Sequence, residues 1–212
     1  MKKVYDGYNV EGLGYPEMFT QLLPLISSGQ RALDLGIGTG HLCSPVAFEG
    51  LQVVGVDKNE GSLTACKRLF GKAGLGNQLR TVTSDARNYL LSCREKYDLV
   101  MLSEILMFLK KADGKDLLKM SYDVLNANGF LWITARSTSD DFYFMLKEGF
   151  EPVDKDTFIA HSPCAGSTMV CFYSPGEIEG FLESIGGKVI FHTESINSAG
   201  GMTNIVLVQK PS

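Results

Sequence analysis

The chain of 212 residues is 44% hydrophobic and 21% charged, which suits one globular domain with a sizeable core and excludes a disordered or fibrous chain. A net charge of −4 without a basic stripe offers no attraction for nucleic acid or an anionic lipid surface. Neither the opening "MKKVYDGYNV" nor the longest apolar run, "LVMLSEILMFL", has the form of a signal peptide or a membrane span, and five scattered cysteines with no Cys-x-x-Cys pair read as free thiols, so a cytoplasmic location is expected.

Residues 1–30 read as an N-terminal cap segment, with "PEMFTQLLPLI" a short amphipathic helix. From Arg31 onward, β-like runs alternate with helical ones. "RALDLG" is a first strand and "HLCSPVAFEG" its helix, with Gly50 a plausible C-cap. "LQVVGVD" is a second strand, and "EGSLTACKRLFGKAG" a helix stopped by glycines. "QLRTVTSD" is a third strand. "YDLVMLS" is a fourth, apolar enough to be covered on both faces. "DGKDLLKMSYDVLNANG" is a helix with an Asn/Gly stop, and "GFLWITAR" a fifth strand. This order predicts an α/β domain with a parallel sheet and right-handed crossovers.

Residues 137–171 fit the alternation poorly. They read as an insertion within one domain, 1–212, and as a lid whose aromatics (Phe142, Tyr143, Phe144, Phe150, Phe158) wall a pocket. In the tail, "SPGEIEGFLESIGG" has a Ser N-cap, Pro at N1 and Gly stops. "KVIFHTESI" and "TNIVLVQK" follow as two β runs joined by a short turn, a pattern that pairs antiparallel.

Gly36, Gly38 and Gly40 alternate between the first strand and its helix. Glycine permits positive φ and lets a ligand touch the main chain, and ligands of open parallel sheets bind at the carboxyl ends of the strands. The loop is therefore read as a cofactor cradle. The dinucleotide fingerprint G-x-G-x-x-G would need glycine where His41 stands, which weighs against a nicotinamide oxidoreductase. Asp34, Asp57 and Asp85 end three consecutive strands. Three carboxylates there suit a cationic, hydroxyl-rich ligand, with Asp57 placed to accept ribose hydroxyls.

Taken together, "ALDLGIGTG", "VVGVDKN", "TSDA" and "YDLVMLSEILMFL" resemble the successive motifs of the class I S-adenosylmethionine-dependent methyltransferases. "DKN", "LMFL" and "FYSPGEIEGF" are similar to those of the tellurite-resistance type, which acts on small molecules. The resemblance implies a Rossmann-like seven-stranded sheet ordered 3-2-1-4-5-7-6, strand 7 antiparallel, with helices on both faces. It implies S-adenosyl-L-methionine as cofactor. Gly36 and Gly38 would border its methionine part, with Asp34 near the ammonium and Ser103 near the amino-acid end. Asp57 would hold the ribose, Lys58 would lie beside the adenine, and Asp85 and Ala86 would meet it.

The acceptor is expected to be a small molecule, with a soft sulfur, selenium or tellurium nucleophile preferred. The alternatives are a catalytically inactive S-adenosylmethionine-binding module and a protein methyltransferase. Methyl transfer relies mainly on positioning, so a dedicated catalytic residue is not required. Glu104 and His161 are the candidate bases, and Tyr8, Met107 and His161 the candidate acceptor contacts. Tyr5 and Tyr15 could join Tyr8 over the sulfonium. His161, Cys164 and Cys171 match no standard zinc spacing, so no metal is expected. Neither a nucleic-acid nor a membrane partner is expected, and the oligomeric state is left open.

Overall fold

In the computed structural model, which describes residues 20–162, 166–197 and 200–212, the apolar runs become strands and the stretches between them helices. The first half contains β1 (Arg31–Leu35), α1 (Ser44–Phe48), β2 (Gln52–Asp57), α2 (Glu60–Lys72), β3 (Leu79–Thr83), α3 (Ala86–Ser92) and β4 (Tyr97–Ser103). Then come α4 (Lys111–Asp123), β5 (Leu125–Arg136), α5 (Asp141–Gly149), β6 (Thr157–Ser162), β7 (Gly166–Cys171), α6 (Glu177–Ser184), β8 (Lys188–Ile196) and β9 (Met202–Gln209).

Seven strands form one sheet in the order β3-β2-β1-β4-β5-β9-β8. β1 to β5 are parallel, and β9 runs antiparallel to both neighbours. With the separate β6–β7 hairpin set aside, this is the expected 3-2-1-4-5-7-6. The period of two along each strand divides the core between the faces. Leu33, Val54, Val100, Leu102 and Ile133 pack with Leu90, Leu117 and Leu182 on one side. Ala32, Val53, Leu99, Met101 and Trp132 pack with Val46, Leu63 and Phe70 on the other.

The boundaries depart from the sequence reading in three places. Only Ser44–Phe48 of the first helical stretch is helix, with Pro45 in its first turn. α4 stops at Asp123 rather than at the Asn/Gly pair. That pair instead shapes the irregular start of β5, where the register against β4 shifts and Asn128 takes φ 62°. α6 begins at Glu177, and its N-cap is Gly176 at φ 83°, not the serine. Ser174 still forms half a capping box, since its N donates to Glu177 Oε2 at 3.2 Å.

Residues 137–171 fold as α5 and the hairpin around a small core of Tyr143, Leu146, Phe158, Val170 and Phe172. Tyr143 and Phe158 thus fill this core, while Phe144 and Phe150 are exposed. Of the N-terminal segment, Leu22 and Ile26 pack into the second core cluster. Tyr5, Tyr8, Tyr15 and Cys164 lie outside the described residues.

One buried cation ties the insertion to the domain. Lys111 Nζ, on a side chain only 7% exposed, lies 2.7 Å from Glu177 Oε2 and 3.9 Å from Asp156 Oδ2, 4.0 Å over the Tyr173 ring. Its backbone N donates to Asp154 Oδ2 at 3.1 Å. Removing the cation strands two partly buried carboxylates, which costs far more than losing a surface pair. Lys111→Ala should therefore lower the unfolding free energy by about 3–5 kcal/mol, measured by urea denaturation. A loss below about 1 kcal/mol would place the pair with surface ion pairs instead.

Candidate active site

The carboxyl ends of β1 to β4 surround a cavity of about 590 Å³. Its floor is the glycine loop, which folds back over β2. Gly36 N and Ile37 N donate to Val56 O at 2.8 and 3.1 Å, and Gly38 N donates to Asp57 Oδ2 at 2.9 Å. Gly36 takes φ 75°, and a Cβ there would stand 3.1 Å from Ile105 Cδ1. Gly40 is bare for another reason: a Cβ would lie 2.6 Å from Cys66 Sγ and 3.0 Å from the Phe70 ring. The third glycine lets α2 pack on the loop and does not line the cavity.

Two predicted acids face the cavity, each held by backbone amides. Asp57 also accepts from Asn59 N at 2.8 Å. Asp85 caps α3, its Oδ1 accepting from Arg87 N at 2.9 Å and Asn88 N at 3.3 Å. Lys58, Ala86 and Ser103 line the same cavity, as do Gly36 and Gly38. Ser103 Oγ is buried without a hydrogen-bond partner.

Asp34 lies beneath the loop, 2% exposed, and is not on the cavity wall as expected. Its Oδ1 has no hydrogen-bond partner. Burial pushes its carboxyl up from 3.8 to about 7, the Cys43 thiol opposing this and the Asp57 charge adding to it.

Glu104, one of the two candidate bases, follows β4 on the wall. Its backbone is left-handed, φ 60°, and its N donates to Thr134 O at 3.1 Å and Thr134 Oγ1 at 3.0 Å. Met107, by contrast, packs against the insertion core rather than the cavity. His161 pairs through its backbone with Ser167 in the hairpin; its side chain, like all of Tyr8, lies outside the described residues. Among the described residues no His/Cys/Asp/Glu group could hold a metal, and no helix is long and apolar enough to cross a membrane.

The sequence reading did not single out Arg87, Ile105 and Leu109, which line the wall with Phe108 and Thr168. Leu106–Phe108 form a 3-10 turn, which leaves Phe108 52% exposed at the cavity. Arg87 pairs with Asp113 and Asp116 of α4. Thr168 comes from the hairpin of the 137–171 insertion, the segment read from the sequence as a lid.

Asp34 gives the site a pH signature. Its folded pKa lies above the unfolded one, so between about pH 4 and 7 the folded state holds the extra proton. Stability then falls as pH rises through that window, by up to roughly 1.4 kcal/mol per unit, and the whole cost is present above it. Asp34→Asn removes the cost. Its stability relative to the original chain should rise between pH 5 and pH 8 in denaturant titrations, and a flat difference would contradict the assignment.

Comparison with known proteins gives three findings. Residues 32–129 match the family described as "Methyltransferase domain". A "Ubiquinone biosynthesis O-methyltransferase" of Dinoroseobacter shibae is 30% identical over 158 residues, covering 74% of this chain and 60% of that protein. The chain spans about 40 to 60% of the length of this and two similar relatives. An S-adenosylmethionine-dependent methyltransferase from Methanosarcina mazei superposes with a TM-score of 0.74 at 16% identity, covering 90% of this chain and 96% of that one. TehB from Haemophilus influenzae gives 0.64 at 18%, covering 92% and 62%. At such identities the structures speak for the fold alone. Motif order, sheet order and the family match agree: residues 32–129 are similar to a methyltransferase domain, and the chain has the fold of the class I S-adenosyl-L-methionine-dependent methyltransferases.

Proposed function

We propose that this protein transfers the methyl group of S-adenosyl-L-methionine to a small-molecule acceptor. The observation that carries the reading is the Asp57 carboxylate, set on the cavity wall and fixed between Gly38 N and Asn59 N. Each carboxylate oxygen has lone pairs beyond the one it gives to an amide, so the pair can still accept from ribose hydroxyls.

The residues fit the cofactor. Asp57 serves the ribose, and Lys58, Asp85 and Ala86 serve the adenine side. The bare Gly36–Gly38 loop and the unpaired Ser103 hydroxyl serve the amino-acid end. Asp34, buried beneath them, would favour the ammonium electrostatically only in its ionised form, above about pH 7. When bound, the cofactor supplies an electrophilic methyl group on a sulfonium. The chain's part is to position the acceptor beside it and to exclude water.

The hairpin is read as the lid, through Thr168. The soft sulfur, selenium or tellurium acceptor rests on the "LMFL" resemblance and draws only on a likeness of fold to TehB. The relatives' names point to oxygen, and a carboxylate on the wall suits an acceptor that must lose a proton, so a hydroxyl is the reading we favour.

S-adenosylhomocysteine should raise the melting temperature by mass action, and NAD at equal concentration should not. Asp57→Ala should weaken S-adenosylhomocysteine binding about 10- to 100-fold by calorimetry, the value of about 1.5–3 kcal/mol in charge-assisted hydrogen bonds. Labelled S-adenosylmethionine should methylate 3,4-dihydroxybenzoate in preference to a thiol, selenite or tellurite. A shift with NAD alone would sink the cofactor assignment. Binding without turnover of any small acceptor would favour the inactive module, and labelling of proteins alone the protein methyltransferase.

A further inference from the structure

Among the described residues, nine glycines take positive φ, and only three other residues do: Glu104 at 60°, Asn128 at 62° and Asp156 at 53°. Asn and Asp visit the left-handed region because their short side chains bond locally. Glutamate has no such excuse, so at position 104 glycine would be the undemanding choice. The strained residue sits on the cavity wall between Ser103 and Ile105, which also line it. Backbone strain of this kind persists only where the surroundings impose it.

The surroundings here are Thr134. It is fully buried in β5, between the apolar Ile133 and Ala135, where a hydroxyl is out of place unless bonded. It stands opposite Ser103 in the register. Both its main-chain O and its Oγ1 accept from Glu104 N. A valine of the same shape would keep the strand and lose only the second of these bonds.

We propose that Glu104 takes the proton of an acceptor whose nucleophile is a hydroxyl or an amine, and that Thr134 is the positioning residue that holds Glu104 in its left-handed turn. The proposal rests on the methyltransferase reading. As the acceptor's oxygen or nitrogen bonds to the methyl carbon, the carbon–sulfur bond breaks and its electron pair passes to sulfur. The acceptor's proton goes to the Glu104 carboxylate, which accounts for every charge in the step.

The test compares the melting temperature, S-adenosylhomocysteine affinity and methylation of 3,4-dihydroxybenzoate across Glu104→Gly, Glu104→Ala, Thr134→Val and Thr134→Ser. Glu104→Gly should melt at or above the original chain and above Glu104→Ala, because glycine relieves the strain. It should bind S-adenosylhomocysteine within about threefold and lose roughly 10²- to 10⁴-fold in kcat. That loss should shrink at alkaline pH, where the phenol ionises unaided. Thr134→Val should lower kcat with the KM for S-adenosylmethionine unchanged, and Thr134→Ser should restore it. A Glu104→Gly protein that melts well below the original, or that keeps its kcat, overturns the proposal, as does an original chain that methylates a thiol but no hydroxyl or amine. An original chain that fails to bind S-adenosylhomocysteine defeats the methyltransferase reading instead, and the melting comparison still decides whether the strain at Glu104 serves function.

Discussion

Asp57 accepts hydrogen bonds from two backbone amides, Gly38 N at 2.9 Å and Asn59 N at 2.8 Å. This one carboxylate joins the loop after β1 to the end of β2 and so fixes the floor of the cavity. The loop can reach it only because Gly36 and Gly38 take positive φ, a conformation that costs other residues about 1–2 kcal/mol each. Gly55 in β2 matters equally, since a Cβ there would lie 2.4 Å from Ile37 Cδ1 and lift the loop off the strand. The cavity at the carboxyl edge is a consequence of that folded-back loop and of the parallel strands beneath it.

Much of this was legible from residue type alone. The strands of the main sheet were readable because two buried faces demand near-continuous apolar runs, as in "YDLVMLS", and β4 spans those seven residues. Asp57, Asp85 and the glycines were readable because strand ends, bare turns and carboxylates are local features. What could not be read depended on long-range contact. Asp34 sits in a strand-end position but is sealed by the packing of Cys43 and its neighbours. Gly40 looked like part of a cradle, yet it answers to Cys66 and Phe70, which are distant in sequence. The α6 start was misplaced because Gly176, not Ser174, adopts the cap conformation.

The electrostatics divide the site into two halves. Asp57 and Asp85 lie beside backbone amides that satisfy part of their charge, and Lys58 stands with them. On the far side, Ile105, Phe108 and Leu109 make an apolar wall in which Glu104 is the acid. Such a division suits a charged, hydroxyl-rich group on one side and a less polar molecule on the other. Lys111, two residues past the cavity-lining Leu109, ties α4 to the insertion through Asp154 and Asp156 and to α6 through Glu177.

The central claim is that this cavity binds S-adenosylmethionine through Asp57, and a crystal structure with S-adenosylhomocysteine tests it most directly. The account predicts both ribose hydroxyls within about 3.2 Å of the Asp57 carboxylate, the adenine against Asp85–Ala86, and the sulfur on the Glu104 side of the cavity. A ligand lodged elsewhere, or one whose ribose points away from Asp57, would contradict it.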